Sequence, residues 1–194
     1  MNIMYIHGLL GSADGSTTQL LRQSFPQDNI LSVEYDNYDC KKGLQDILDF
    51  YHAFPEIDVI VGCSLGGFYA QMLCNRPKIL INPAFNGGAD VKKYVSESLD
   101  KVSPTFATDL DAILNEFLRD EYDYEYYCET TTVFCLNDDV IKVDNDRLAL
   151  YNKMYHPREV ILTGIGKHRI TSEIIPTLAS LLDEVRKTCY LKAT

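Results

Sequence analysis

Residues 62–66 read Gly62-Cys63-Ser64-Leu65-Gly66, a complete G-x-S-x-G. Composition alone predicts roughly 0.03 such matches by chance in a chain of this length, so the pattern calls for an explanation. Asp58-Val59-Ile60-Val61 before it reads as a strand, and Phe68–Cys74 after it reads as a helix. A serine at such a strand-to-helix turn is forced into a strained conformation that lifts its hydroxyl above the sheet, where it can act as a nucleophile. The plain alternative is a structural turn with an incidental serine. The strand–turn–helix context and the glycines on either side argue against it.

A serine hydroxyl is a weak nucleophile until a base takes its proton. The chain has four histidines, His7, His52, His156 and His168. His52 falls inside a helical pattern, and His156 precedes Pro157 in a connection that enters a strand. His168 follows the strand pattern Glu159–Leu162 through Thr163-Gly164-Ile165-Gly166-Lys167, a loop at a sheet's carboxyl edge. A base serving Ser64 must come from there, the rival being an ordinary surface-loop histidine. A third group should orient the imidazole and stabilise its charged form. The strand pattern Thr131–Leu136 runs into Asn137-Asp138-Asp139, again just beyond a strand. Asp138 is the first choice and Asp139 the reserve, because spacing does not separate adjacent carboxylates. Asp144 and Asp146 read instead as the start of a helix, where acids favour the positive end of the dipole.

An oxyanion hole is still required. The elbow itself supplies the backbone N–H of Leu65. A second donor should come from the loop after the first strand, His7-Gly8-Leu9-Leu10-Gly11-Ser12, where Leu9 is preferred and Leu10 is the other candidate. His7 reads as a buried residue bracing that loop rather than a second base. The order Ser64, Asp138, His168 is that of α/β-hydrolases, and it differs from the orders in chymotrypsin and subtilisin.

The elements that must position these residues alternate. Strand patterns fall at Asn2–Ile6, Ile30–Tyr35, Val59–Val61, Lys78–Ile81, Thr131–Leu136 and Glu159–Leu162. Helical patterns lie near Ser16–Gln23, Gly43–Ala53, Leu65–Cys74, Asp144–Tyr151 and Thr171–Lys187. Continuous apolar runs such as Lys78-Ile79-Leu80-Ile81 mark strands covered on both faces. The expected fold class is therefore α/β: an α/β-hydrolase fold with a compact, mostly parallel sheet of about six strands and helices on both faces. About fifty residues separate Ile81 from Thr131, far more than one crossover needs. Phe106, Leu110, Ile113, Leu114, Phe117 and Leu118 form one apolar stripe there. This predicts a helical cap insertion at about 85–129 within a single domain spanning 1–194. An ordinary packing helix of the main layer fits the same stripe.

Composition bounds the partners. The chain is 46% apolar and carries a formal charge of -10, enough for one core. The acid excess argues against nucleic acid or an anionic membrane as the main partner, since both need a basic face. No apolar stretch approaches a membrane span. The Met1–Ile6 segment lacks a basic region and is a poor signal peptide, so a cytoplasmic location is expected. The six cysteines include no C-x-x-C pair and are expected to be reduced and buried. No metal or organic cofactor is implied, and oligomeric state is not readable. Asp109 to Glu129 holds eight acids, one base (Arg119) and four tyrosines, at 122, 124, 126 and 127. A solvated face is the bland reading; a pocket rim that disfavours strongly anionic substrates is the sharper one.

The His7-Gly8 loop, the run Gly62-Cys63-Ser64-Leu65-Gly66-Gly67-Phe68-Tyr69-Ala70, Ile81-Asn82-Pro83-Ala84 and the Asp138 and His168 loops together resemble the YqiA/YcfP-type small bacterial esterases, members of the α/β-hydrolase superfamily. The resemblance runs from about residue 2 to 185 and is weakest in the insertion. It implies that Ser64, Asp138 and His168 form a triad that hydrolyses small acyl esters or thioesters. The chain departs from that pattern at Leu9, where an aromatic is usual, and at Asn137, where a glycine precedes the acid. Two other classes fit the same residues: a non-catalytic binding or scaffold protein, and a triad-dependent acyltransferase.

Overall fold

The computed structural model describes residues 1–92, 102–119 and 129–192. Its elements run β1 (Asn2–Ile6), α1 (Ser16–Ser24), β2 (Asn29–Ser32), α2 (Cys40–Ala53), β3 (Val59–Cys63), α3 (Leu65–Ala70), β4 (Lys78–Ile81), α4 (Phe106–Arg119), β5 (Thr130–Cys135), α5 (Asn145–Tyr155), β6 (Glu159–Thr163) and α6 (Ile175–Lys192). The strands form one sheet in the order β2-β1-β3-β4-β5-β6, and every neighbouring pair is parallel. This is the α/β-hydrolase architecture that the alternating patterns predict.

Each central strand divides its side chains between two cores. Ile3, Tyr5, Val59, Val61, Ile79 and Ile81 face the cluster built with Leu21 and Phe25 around α1 and with Leu178 and Leu182 of α6. Met4, Ile6, Ile60 and Leu80 face the opposite cluster, with Ile47 of α2, Phe68 of α3 and Phe106 and Leu110 of α4. Burying one such side chain contributes about 1.5–3 kcal/mol, so two covered faces fix the register firmly. Strand order reverses between β1 and β3, and the loops leaving their carboxyl ends carry Gly8 and Ser64. Ligands in open parallel sheets sit at such a switch point.

Several boundaries differ from the sequence pattern for local reasons. α2 begins at Cys40 rather than Gly43, because the Asp39 carboxylate accepts hydrogen bonds from the Lys41 and Lys42 amides and caps the helix there. α3 stops at Ala70 rather than Cys74, where bonds from Met72 to Tyr69 and from Leu73 to Ala70 tighten the turn. β2 ends at Ser32, although the Val33 amide still reaches the Tyr5 carbonyl at 3.1 Å. α6 starts at Ile175, four residues late, with Pro176 in its first turn, where a missing N–H costs nothing.

The inserted helix α4 lies beside α2. Cys40 Sγ approaches the Phe106 carbonyl at 3.7 Å, and Lys41 pairs with Asp109 at 2.6 Å. Phe106, Leu110, Ile113 and Leu114 are buried, so the stripe seals one core face. The tyrosines at 122, 124, 126 and 127 lie outside the described residues.

Asp28 ties the chain's start to its last helix, accepting from the N-terminal ammonium at 2.8 Å and from Arg186. Burial pushes its carboxyl up, but the ammonium and Arg186 outweigh this and hold it below the usual 3.8. A depressed folded pKa adds stability above the unfolded value, and that stability is lost as pH falls through the folded one. Asp28→Asn is expected to lower stability at pH 7 by about 1.5–3 kcal/mol, measured by urea unfolding. The gap to wild type should close below about pH 4.

Candidate active site

The turn from β3 into α3 forces Ser64 to φ 55° and ψ -122°, a region that L-residues seldom occupy. The Ser64 amide donates to the Ile81 carbonyl at 3.1 Å, and its own carbonyl accepts from Phe68 and Ala84. Two glycines make the turn sterically possible. A Cβ on Gly66 would collide with the carbonyl oxygens of Ile6 and His7, and one on Gly62 would lie 2.8 Å from the Gly67 Cα. The close approach of α3 to β1 therefore depends on Gly66 having no side chain.

Ser64, His168 and Asp138 come from the ends of β3, β6 and β5, and the fold brings them together. His168 Nε2 stands 2.8 Å from Ser64 Oγ, and its Nδ1 stands 2.9 Å from Asp138 Oδ2. A neutral imidazole with its proton on Nδ1 donates to Asp138 and accepts from the Ser64 hydroxyl. Asp138 is 4% exposed, and its Oδ1 accepts from the Val140 and Ile141 amides at 2.7 and 3.1 Å. One carboxylate oxygen is thus held by backbone while the other faces His168. Asp139 is exposed and does not meet His168.

His168 is held by a residue that spacing did not single out. Asn82, fully buried and with φ 45°, follows β4. Its Nδ2 donates to the carbonyls of Lys167 and His168 at 2.8 and 3.1 Å, and its Oδ1 accepts from the Cys135 amide at 2.7 Å. Asn137 adds a second tie, from its Nδ2 to the Gly164 carbonyl at 2.6 Å. Cys63 Sγ also approaches the His168 carbonyl at 3.6 Å. Burial pushes the Cys63 thiol up to about 12, so the sulfur beside Ser64 stays protonated.

The loop after β1 is pinned from two sides. His7 stacks on Tyr35 with ring centroids 4.4 Å apart, its Nδ1 lies 2.9 Å from the Gly8 carbonyl, and the Tyr35 hydroxyl donates to the His7 carbonyl at 2.6 Å. Burial lowers the His7 pKa, which keeps the ring neutral and fits a bracing role. The Leu10 amide donates to Asn37 Oδ1 at 3.0 Å. Of the two oxyanion candidates in this loop, Leu10 is therefore engaged, whereas the Leu9 and Leu65 amides enter no hydrogen bond among the described residues. A cleft of about 600 Å³ opens over Ser64 and His168, bordered by Leu9, Val91, Val140 and Ile141. Among the described residues no cluster of His, Cys, Asp or Glu is arranged to hold a metal ion.

Residues 2–154, a span that takes in Ser64 and Asp138, match the model of UPF0227, an uncharacterised protein family. The chain belongs to that family. No curated protein matches it. Among solved structures it resembles Est1E from Butyrivibrio proteoclasticus, with 12% identity, a TM-score of 0.69 and coverage of 96% of this chain and 87% of that one. A structure from work on LipS and LipT, two metagenome-derived lipolytic enzymes, gives 14%, 0.68, 96% and 93%. The mouse alpha/beta hydrolase domain-containing protein 10 gives 16%, 0.62, 95% and 90%. At such identities the likeness shows a shared α/β-hydrolase fold. No helix among the described residues is long and apolar enough to cross a membrane.

The geometry makes a spectroscopic prediction that needs no substrate. The His168 Nδ1 proton, held at 2.9 Å against a buried carboxylate, should resonate far downfield in the proton NMR spectrum. Asp138→Asn should abolish that signal and Asp139→Asn should leave it in place. Asn82→Ala should broaden it by loosening the loop.

Proposed function

We propose that the chain is a serine hydrolase of small carboxylic esters and thioesters, working through an acyl-enzyme. The observation that carries this reading is the unbroken hydrogen-bond chain from Ser64 Oγ through His168 to Asp138, at 2.8 and 2.9 Å, at the floor of the cleft. Ser64 Oγ attacks the carbonyl carbon while its proton passes to His168 Nε2. Asp138 holds the ring and stabilises the imidazolium that forms. The Leu9 and Leu65 amides donate to the oxyanion, and one such donor is worth on the order of 10²–10³ in rate. His168 then protonates the leaving group, activates a water, and the water releases the acid.

The four free thiols among the described residues fit a reducing compartment, and we place the protein in the cytoplasm. On this reading it is a single hydrolase domain with an insertion at about 85–129, and within its family it groups with the YqiA/YcfP-type esterases. Only a small acyl substrate is required as partner.

The test pairs a fluorophosphonate label with turnover of a para-nitrophenyl ester. Wild type should label stoichiometrically at Ser64. Ser64→Ala should lose the label and about 10⁴–10⁶ in kcat, with an unchanged circular dichroism spectrum. Wild-type turnover in that variant would overturn the proposal.

A further inference from the structure

We propose that the cleft binds an anionic group on the leaving-group side of its substrate, a carboxylate or phosphate held between Lys167 and Arg169 on one wall and the first turn of α1 on the other. The inference rests on the serine-hydrolase reading and narrows its substrate class. Lys167 and Arg169 flank His168, and both line the cleft. Lys42 pairs with Asp46, Arg147 with Asp90, Arg158 with Glu129 and Arg186 with Asp28, whereas Lys142, Lys153 and Lys187, which have no ion pair among the described residues, do not line the cleft. The side chains of Lys167 and Arg169 have no acceptor among the described residues. Of the acids lining the cleft, Asp90 is taken by Arg147, and Asp139 forms an ion pair with neither cation.

The opposite wall has the same polarity. α1 begins at Ser16 behind Gly15, which offers no side-chain cap, so the amides of the first turn keep their donors at the positive end of the helix dipole. Ser16 and Thr17 line the cleft there. Thr171 also lines it, and its Oγ1 is buried without a hydrogen-bond partner. An arginine fork, an ammonium, an unpartnered hydroxyl and an uncapped helix start form a set of donors suited to a planar or tetrahedral oxyanion. Both cations are exposed side chains at the border of the cleft, open to a ligand that enters it.

Chemistry fixes which end of the substrate carries the charge. His168 must deliver its proton to the leaving oxygen or sulfur, so the leaving group lies beside His168. The two cations are its sequence neighbours, with Cα atoms about 3.8 Å away. The anion therefore sits a few bonds from the scissile atom and not at the end of a long carrier. The apolar border of Leu9, Val91, Val140 and Ile141 is left for the acyl group. This reading runs opposite to the expectation that the acid-rich tract turns anions away, a tract whose residues 120–128 lie outside the described residues. Of its four described acids, three are engaged elsewhere, Asp109 with Lys41, Asp111 with the Gly88 amide and Glu129 with Arg158, and none lines the cleft.

Three butanoate esters test the proposal: 3-(butanoyloxy)propanoate, its neutral amide, and 2-(butanoyloxy)ethyl phosphate. Wild type should favour at least one anionic ester over the amide by about tenfold in kcat/KM, with the preference shrinking as salt rises. Which anion is preferred identifies carboxylate or phosphate as the source of the charge. The anionic-to-neutral ratio should fall to about one in Lys167→Gln/Arg169→Gln, and a ratio cancels any general loss of activity. A wild-type ratio of one, or a ratio that the double variant leaves intact, overturns the proposal. If no ester is turned over, the hydrolase reading fails, but calorimetric titration of Ser64→Ala with the same esters still decides this one. Tighter binding of an anionic ester that depends on Lys167 and Arg169 supports it, and equal binding of all three overturns it.

Discussion

The backbone at Ser64 is held at φ 55° and ψ -122°, and most of the site exists to make that conformation tolerable. Such a residue costs on the order of 1–3 kcal/mol and persists only when its surroundings leave it no alternative. Here the Ser64 amide is committed to Ile81 and its carbonyl to Phe68 and Ala84, so relaxing the turn would break bonds to β4, to α3 and to the segment after β4. The glycines at 62 and 66 let α3 close over β1 and β3 without a Cβ in the way. The packing of two cores on one parallel sheet thus supplies the rigidity, and the strain appears at the residue whose hydroxyl meets His168.

A second constraint acts on His168. His168 sits on a loop with an exposed approach through Gly164 and Ile165, and a long flexible loop would not hold an imidazole within hydrogen-bond reach of two partners. Asn82 solves this with one buried amide: its oxygen is anchored to β5 through Cys135, and its nitrogen grips the two carbonyls around His168. Loss of that side chain would take a partner from the buried Cys135 amide and from the Lys167 carbonyl and leave the His168 carbonyl only the Cys63 thiol, a larger penalty than the bonds themselves suggest. The histidine is positioned through its backbone by β4 and through its ring by the loop after β5. A shift of either strand end would be felt at Ser64 Oγ.

Much of this was legible in the sequence, and the illegible parts share a cause. Strands covered on both faces announce themselves as unbroken apolar runs, and Val59–Val61 and Lys78–Ile81 did so. The elbow and the order Ser64, Asp138, His168 follow from residue type and from position after strands. Asp138 could not be separated from Asp139 that way, because what sets them apart is the hold of the Val140 and Ile141 backbone amides on Asp138, and backbone amides leave no mark on residue type. Leu9 and Leu10 were ambiguous for a similar reason, since what sets them apart is Asn37 reaching the Leu10 amide across 27 positions. Asn82 stood beside Pro83 in a recognisable run, but nothing in its spacing pointed to a bond with a loop 85 residues away. Periodicity reports burial of side chains; it does not report which backbone groups need a partner.

The charge of the chain shows the same limit in electrostatic form. A formal charge of -10 describes the field far from the surface, where it disfavours the approach of other polyanions. Inside a cleft the relevant distances are a few ångströms, well under the roughly 8–10 Å over which salt screens exposed charges. On the proposed reading, Lys167 and Arg169 act there against Asp139 alone, since Asp90 is paired with Arg147 and Asp109, Asp111 and Glu129 are bonded elsewhere. An acidic protein can therefore present a cationic wall to a small ligand at one point on its surface. Ser64, His168, Asp138 and the two cations beside His168 all follow strand ends of one sheet, so on the proposed reading charge recognition and bond cleavage would be set by one rigid edge.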